Sequence, residues 1–552
     1  MKNKYYILHN TCNYDKNIAD DTAAKYQSVR VQRNGKTAEA GAYGTGIRRQ
    51  VSEISGAYGI RKGFAETKAI RRNFMISNLK VELLSDREKE QILDAAYSLL
   101  EDPGVNIYSE KAVELLTANG CTADGIRVRI PRELVKKCIN TVPKGIQIYD
   151  RNGNEAMLLR GRNVYFGAGP TCVYFKDPWT GERRKPKKQD AADAAKMVDA
   201  LPNMSYAMSL CMIEDHTHTL ADVHEVDAML RNTTKPICTW AFNAPNLEYL
   251  LRLCAAVAGG KEKLAEKPFV IIYSEPTTPM VHTKEALEKV FVTTEWGVPT
   301  LYTPGMIMGG TSPATIAGSL AVGFADTFVG LVINQLLRPG APFIAGTSGT
   351  PMDMATMHTP YGAPSTSLLL GASNEILHYL GIPSFDMAGS TESKVVDAQA
   401  GIEASMQAMI SLLTGGNLVH DCGYTDIGMT GNLTMLCVCD EIVGMAKRYC
   451  EGIAVDEDRI GMEFIREAGP GGNFLQSEHT VDYYREEFFR PTLLERRDYE
   501  VWEKEGALTM EQRALEKVHR ILKTHQAESL PENVLKEMEK IVAEAENNVT
   551  VK

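Results

Sequence analysis

Ser384-Phe385-Asp386-Met387-Ala388-Gly389-Ser390-Thr391-Glu392-Ser393-Lys394-Val395-Val396-Asp397-Ala398-Gln399-Ala400-Gly401 is the stretch whose reading decides the fold. A short apolar run ends at a small residue and a polar cluster follows. The apolar-rich segment that continues to Leu413 has the length of a buried helix rather than a strand. This reads as a strand that delivers polar groups to a rim. The unit recurs, with candidate strands at Asn163–Gly167, Tyr206–Ile213, Pro236–Phe242, Phe269–Ser274, Thr300–Thr303, Pro342–Gly346, Ser384–Ala388 and Leu418–Asp421. Helical patterns lie between and after them at Ala191–Leu201, Ala221–Asn232, Leu247–Ala258, Lys284–Glu295, Pro313–Leu337, Ser365–Leu380, Val396–Leu413 and Leu433–Cys450. About eight strand-then-helix units of ~40 residues predict an α/β fold, a (β/α)8 TIM barrel, because parallel strands need crossover helices and closing the sheet removes its edges. In such a barrel the chemistry sits on the loops that follow the strands.

The chain has 552 residues, 44% of them hydrophobic, enough for one large domain with extensions. No apolar run is expected to reach the ~18 residues that a membrane span needs. Eleven cysteines without regular spacing read as reduced thiols in a cytoplasm, and Cys437-Val438-Cys439 alone is no metal motif. Charge is unevenly divided. Residues 1–74 carry 14 Lys/Arg against 6 Asp/Glu, and the rest holds 46 against 64. An acidic body argues against nucleic acid as the main partner. Residues 1–74 are expected to lie outside the fold as an upstream extension. Residues 75–160 are expected to form an accessory α+β segment, 161–455 the barrel, and 456–552 a C-terminal extension with helices.

Ser85 with Glu88 three residues on forms a capping box before a helix stopped at Pro103-Gly104. A second helix runs from Ser109 to Asn119, and Pro131 starts a third. With strand-like Ile146–Tyr149 and the Arg151-Asn152-Gly153-Asn154 turn, they read as a layer that covers one barrel end or contacts a partner. Tyr165-Phe166-Gly167-Ala168-Gly169-Pro170 lacks a nucleotide-binding glycine triplet or Walker lysine, so a tight turn is expected there rather than a phosphate cradle. His216-Thr217-His218, with Asp421 at the last strand, is how a metal-dependent hydrolase on a barrel would begin a zinc site. The middle strands supply no further histidine, so rim or helix-cap roles are favoured. Trp240 and Phe242, two residues apart, and Tyr302 are candidate ring faces for a cation, or else packing against the outer helices. Glu275 adds a counter-charge or caps a loop, and His420-Asp421 closes the last strand.

At these residues the sequence resembles the trimethylamine methyltransferase (MttB) superfamily from Met75 to Trp502. The resemblance rests on Arg129-Ile130-Pro131-Arg132-Glu133-Leu134, Tyr149-Asp150-Arg151-Asn152-Gly153, Gly309-Gly310-Thr311-Ser312-Pro313-Ala314-Thr315-Ile316-Ala317-Gly318, Ser393–Gly401, and Gly471-Gly472-Asn473-Phe474-Leu475 with His479-Thr480. It implies a barrel that passes a methyl group from a methylated amine to Co(I) of a separate corrinoid protein. Trimethylamine-using members carry pyrrolysine at the end of the seventh barrel strand, where this chain has Gly389-Ser390. A quaternary ammonium already bears the charge that lets nitrogen leave, so a quaternary amine such as glycine betaine, proline betaine or a carnitine-like compound is the expected substrate. Trimethylamine is the alternative, and a noncatalytic corrinoid scaffold a further one. The resemblance implies Gly389, Ser390, Glu392 and His420 near the reacting atoms, with Gly389 leaving room where pyrrolysine would project. Trp240, Phe242, Glu275, Tyr302 and Tyr424 are expected around the substrate, and Gly309, Gly310, Gly346 and Thr391 on the corrin side. The Asp-x-His-x-x-Gly cobalamin loop is absent, since Asp222-Val223-His224 runs on to Asp227. The corrinoid is therefore expected on a transient partner, with no metal or nucleotide on this chain, no membrane, and a homo-oligomer.

Overall fold

Eight parallel strands run in chain order around a closed barrel in the computed structural model, which describes residues 79–550. They are β1 (Tyr165–Ala168), β2 (Met204–Tyr206), β3 (Ile237–Trp240), β4 (Val270–Ser274), β5 (Thr300–Tyr302), β6 (Phe343–Ala345), β7 (Phe385–Met387) and β8 (Leu418–Cys422). Each pairs with the next, through single bridges at Ala207–Ile237 and Ala345–Ser384, and β8 returns to β1 with Leu418 opposite Tyr165. The expectation for residues 1–74 lies outside the described residues.

The crossover helices are α1 (Lys188–Ala200), α2 (Ala221–Asn232), α3 (Ala244–Ala258), α4 (Lys284–Trp296), α5 (Ile316–Leu337), α6 (Pro364–Leu380), α7 (Ala398–Thr414) and α8 (Leu433–Cys450). Their ends follow from local chemistry. The Thr283 hydroxyl accepts the Ala286 amide at 3.2 Å to open α4, and Gly297, left-handed at φ 71°, closes it. Asp397 and Gly415 (φ 81°) do the same for α7. α5 corrects the expectation that no apolar run reaches spanning length. It has 22 residues, and an 18-residue window of it with a mean hydropathy of 1.9 is long and apolar enough to cross a membrane, yet 78% of that window is buried inside the protein. A helix mostly apolar all round fits an enclosed position, and its buried polar residues, Ser319, Thr327, Asn334 and Gln335, hydrogen-bond within the protein.

Strand alternation fixes which side chains face the lumen. Tyr206, Cys238, Ile271, Leu301, Ile344, Phe385 and Leu418 share one buried cluster with Ile146, Ile148, Met157 and Leu159. The last four come from a hairpin of Ile146–Tyr149 with Glu155–Leu159, whose turn is tied to the starts of β3 and β4 through Thr234 O and Pro268 O. The hairpin therefore stoppers the N-terminal end of the barrel. At the other end the loops build walls. Gly305–Met308 pairs with Ser348–Pro351, and Tyr174–Lys176 lies between Arg183–Arg184 and Thr430–Asn432.

Two expectations change here. The second strand is shorter and earlier than Tyr206–Ile213, because the apolar residues beyond it, Met208, Leu210, Cys211 and Ile213, are buried in an irregular wall in which Leu210 is left-handed at φ 65°. Tyr302 does not face the mouth. Leu301 takes the inward position on β5, so Tyr302 points out toward α5, fully buried, with its hydroxyl 2.8 Å from His282 Nδ1. His282 Nε2 in turn lies 3.4 Å from Asp326.

Before the barrel, the helix Asp86–Glu101 carries the capping box read from the sequence and packs on α5. Glu375 of α6 accepts the amides of Leu83 (2.6 Å) and Leu84 (3.1 Å), clasping the segment ahead of it. After the barrel, residues 451–508 carry α9 (Glu457–Ile460), α10 (Met462–Ala468), α11 (Glu478–Glu487) and α12 (Tyr499–Lys504). Then α13 (Met510–Thr524) packs on α8 and α1, and α14 (Glu532–Thr550) on α3 and α2.

A Cβ added at Gly330 on α5 would enter the Tyr302 ring. Gly330→Ala is expected to lower the unfolding free energy by about 1–3 kcal/mol through overpacking, read from the denaturant midpoint. Tyr302→Phe, which removes only a hydroxyl, is expected to cost less.

Candidate active site

The inward alternation carries Trp240, Tyr273 and His420 to the C-terminal mouth, each two residues beyond an inward core residue. At β3 the strand ends on Trp240, and the Phe242 amide donates to Asp222 Oδ2 at 2.8 Å. Trp240 and Phe242 meet edge to face, with ring centroids 4.6 Å apart at 83°. Behind them Glu225 is wholly buried, its Oε1 accepting the Ile213 amide at 3.1 Å. Burial pushes its carboxyl up to about 8, against the pull of Ile213, Ser209 and the Trp240 indole.

On β4 the Tyr273 hydroxyl donates to Glu275 Oε2 at 2.5 Å. Glu275 is solvent-accessible yet ringed by protein, so it stands on the wall of a well rather than on an outer surface. That setting pushes its carboxyl upward, opposed by the Tyr273 hydroxyl and the charges of Lys289 and His420. Gly305 lies close beside it, where a Cβ would displace the Glu275 carboxylate from its present position. Lys289, buried behind β3 and β4, donates to Ala241 O at 2.9 Å, and burial lowers its ammonium to about 8.

The ends of β7 and β8 correct several expectations. Gly389 is left-handed at φ 87°, and a Cβ there would stand 2.8 Å from Cys422 Sγ and 3.2 Å from Cys439 Sγ. It leaves no open space; the position is filled by packing. Ser390 is fully buried, and Gln407 locks it. Its amide and hydroxyl donate to Gln407 Oε1, and its carbonyl accepts from Nε2 at 2.9 Å. Thr391, also buried, donates to Glu403 Oε2 at 2.5 Å and is closed off from a corrin face. Gly346 is inward-facing but covered, since a Cβ there would lie 2.6 Å from Thr303 Oγ1. Tyr424 is buried over Gly169, its hydroxyl accepting the Thr171 amide at 2.8 Å.

His420, by contrast, faces the lumen. Its Nδ1–H donates to Asp386 O at 2.8 Å, its ring packs 4.2 Å from Phe385, and Nε2 lies 3.4 Å from Asp421 Oδ1. Asp421 is strained at φ 78°, and burial raises its carboxyl against the pull of His420. Glu392 accepts the Gly362 amide at 2.8 Å, and its own amide donates to Glu403 at 3.0 Å. The two carboxyls meet, so burial first and Glu403 next push Glu392 up to about 7.

The structure thus brings Trp240, Glu275 and His420 to one mouth with Glu392 on its wall, while Phe242, edge-on to Trp240, packs behind it against Ala191, Ala192, Ala221 and Ala228 of α1 and α2. Gly309 and Gly310 are exposed in the turn after Met308. Tyr273, Tyr361 and Glu403 were missed. Alternation from Ile271 could have found Tyr273. Tyr361, whose hydroxyl is held up by burial and by the charges of Asp421 and Glu275, comes from a loop with no local signal. The hydrolase residues scatter. His216 Nδ1 meets Asp215 at 3.0 Å, His218 opens a short turn, and among the described residues no three His, Cys, Asp or Glu form a metal-holding group.

A family profile described as trimethylamine methyltransferase (MTTB) matches residues 57–550. Trimethylamine methyltransferase MttB of Desulfitobacterium hafniense (strain DSM 10664 / DCB-2) is 30% identical over 472 residues, 85% of this chain and 94% of that protein. Glycine betaine methyltransferase of Desulfitobacterium hafniense (strain Y51) is 29% identical over 469 residues, 84% and 97% of the two chains. The crystal structure of Methanosarcina barkeri monomethylamine methyltransferase (MtmB) covers 86% of this chain and 89% of its own at TM-score 0.44 and 11% identity.

Because Glu392 holds its proton up to about 7 when folded and only to about 4.5 when unfolded, the folded state binds more protons across that window. Its contribution to stability is whole below the window and is lost as pH climbs through it. Thermal unfolding across this range should show the wild type losing ground to Glu392→Gln as pH rises; parallel curves would refute the shared-proton pair.

Proposed function

Since this chain belongs to the trimethylamine methyltransferase (MTTB) family, we propose that it moves a methyl group from a quaternary amine to Co(I) of a separate corrinoid protein. The observation that carries this reading is Glu275, ringed by protein at the mouth with Tyr273, His420 and Trp240, the last backed edge-on by Phe242. Ring faces attract a quaternary ammonium by roughly 0.5–2 kcal/mol per good contact, and a carboxylate close by adds a longer-range pull. Glycine betaine, proline betaine and carnitine-like compounds all present such a cation.

The chemistry needs little from the side chains beyond placement. The Co(I) electron pair attacks the methyl carbon, the carbon–nitrogen bond breaks toward nitrogen, and a neutral tertiary amine leaves; cobalt becomes formally Co(III). No proton moves. Trp240, backed by Phe242, and Glu275 hold the cation so that one methyl points out of the barrel in line with its bond to nitrogen. The hairpin stopper and the loop walls keep water from reaching the reduced metal. Gly389 and Ser390, enclosed by Cys422, Cys439 and Gln407, act as packing for the end of β7 and offer no group to activate a neutral amine. The corrinoid arrives on a transient partner, with the exposed Gly309-Gly310 turn on its docking side. A reducing cytoplasm, consistent with buried thiols such as those of Cys172, Cys422 and Cys439, is the setting in which Co(I) persists.

The test is a panel of quaternary and tertiary amines incubated with the purified chain and free Co(I) cobalamin, following loss of the Co(I) absorbance. Quaternary amines are expected to consume Co(I); activity confined to trimethylamine or other tertiary amines would overturn the reading. With the best substrate, Trp240→Ala is expected to lower kcat/KM by roughly 2- to 30-fold, while Tyr302→Phe stays near wild type.

A further inference from the structure

Three consecutive residues at the end of β3 are each met by a buried ionisable group. Lys289 of α4 donates to Ala241 O at 2.9 Å, and Asp222 Oδ2 of α2 accepts the Phe242 amide at 2.8 Å. Glu225, wholly buried, stands three residues beyond Asp222 on the same face of α2, behind the Trp240 ring.

Glu225 carries two acceptor oxygens, and each has a donor in front of it. Oε1 accepts the Ile213 amide at 3.1 Å. Oε2 and the Trp240 indole nitrogen are both enclosed, and neither has a partner of good hydrogen-bond geometry among the described residues. The indole is nevertheless one of the groups that pull the Glu225 carboxyl down against burial, so the two atoms lie within each other's reach. Ser209 is the other donor nearby. A hydroxyl carries one proton, however, and Ser209 gives it to Pro170 O at 2.9 Å. The indole N–H is the donor that remains for Oε2. Kept apart, an enclosed N–H and an enclosed carboxyl oxygen each cost the desolvation of a polar group, so a small rotation of the ring that joins them is downhill.

We propose that Glu225 is the positioning residue of the Trp240 indole: one carboxylate oxygen takes the Ile213 amide, the other takes the indole N–H, and a ring face is thereby held toward the mouth for the substrate cation. An indole attracts a cation through its face and not through its N–H edge, whose hydrogens are positive. Turning that edge to α2 leaves a face beside Tyr273, which pairs in register with Trp240 and donates to Glu275 at 2.5 Å. A carboxylate on the edge also makes the ring richer in electrons, which strengthens its pull on a cation. The inference rests on the methyl-transfer reading for its ligand and adds the group that sets the ring.

Two measurements on the full chain test it. The first uses no ligand. Subtracting the ultraviolet resonance Raman spectrum of Trp240→Phe from that of the wild type leaves one indole of the four. Its N–H-sensitive ring mode is expected at the hydrogen-bonded position. The same subtraction in a Glu225→Gln background is expected to move the mode toward the free position, because the amide keeps the shape but offers one acceptor where two donors converge. A free indole in the wild type, or an unchanged mode in Glu225→Gln, would overturn the proposal.

The second measurement follows free Co(I) cobalamin with the quaternary amine that the panel selects. Glu225→Gln is expected to raise KM roughly 3- to 10-fold with kcat within about twofold. In Trp240→Phe, whose ring has no N–H, the same substitution is expected to leave KM where it was. An equal rise in both backgrounds would make Glu225 a peg for the Ile213 amide alone, and the proposal would fall. A wild type that consumes no quaternary amine refutes the methyl-transfer reading, while the Raman comparison still decides on Glu225.

Discussion

The mouth of the barrel gathers more carboxylate than cation. Glu275, Asp421 and the Glu392–Glu403 pair come from four different parts of the chain; Lys289 stands buried near Glu275 with its ammonium lowered to about 8, His420 lies beside Asp421, and Lys394 Nζ donates to Glu392 O at 2.7 Å. A carboxylate short of water is costly unless a charge or hydrogen bond compensates it. Tyr273 supplies part of that compensation to Glu275. On the proposed reading, a cation entering beside Glu275 and the Trp240 ring would supply the rest.

The fold exists to keep that imbalance in place. Closure of β8 onto β1 brings His420 round to face the residues of β3 and β4. The hairpin Ile146–Leu159 fills the far end, so the well opens one way only. The loops after β5 and β6, and those after β1 and β8, pair with one another and raise the walls. Glycine is demanded at 389 by its left-handed backbone and by the close approach of Cys422 and Cys439, and at 305 it leaves the Glu275 carboxylate where it stands.

Much of this was legible in the residues. The strand-then-helix rhythm placed all eight strands, and α2 and α8 were read to the residue, because apolar periodicity and capping act locally. Strand phase was not legible at β5. Tyr302 reads as a mouth aromatic until Leu301 is known to take the inward position, and a one-residue change of phase reverses every side chain. The outer stretch Met208–Ile213 alternates like a strand yet pairs only through a single bridge of Cys211 to Cys172, since burial on both sides imposes no continuous ladder. Trp240, Glu275 and His420 were singled out from their positions at strand ends, which the structure places at the mouth, whereas Phe242 packs against α1 and α2. Tyr361 and Glu403 were not singled out, because their proximity to the mouth comes from long-range packing that leaves no trace in nearby sequence. Gly389 was read as space and is instead a close approach, a distinction only the surrounding sulfurs decide.

The central claim is that positive charge on the ligand, and not its shape, is what the mouth selects. Fluorescence titration of the four-tryptophan chain with the trimethylammonium alcohol choline and with its uncharged tert-butyl isostere separates the two. The account predicts that the cation binds at least roughly tenfold more tightly. Equal affinity for the charged and uncharged partners would contradict it.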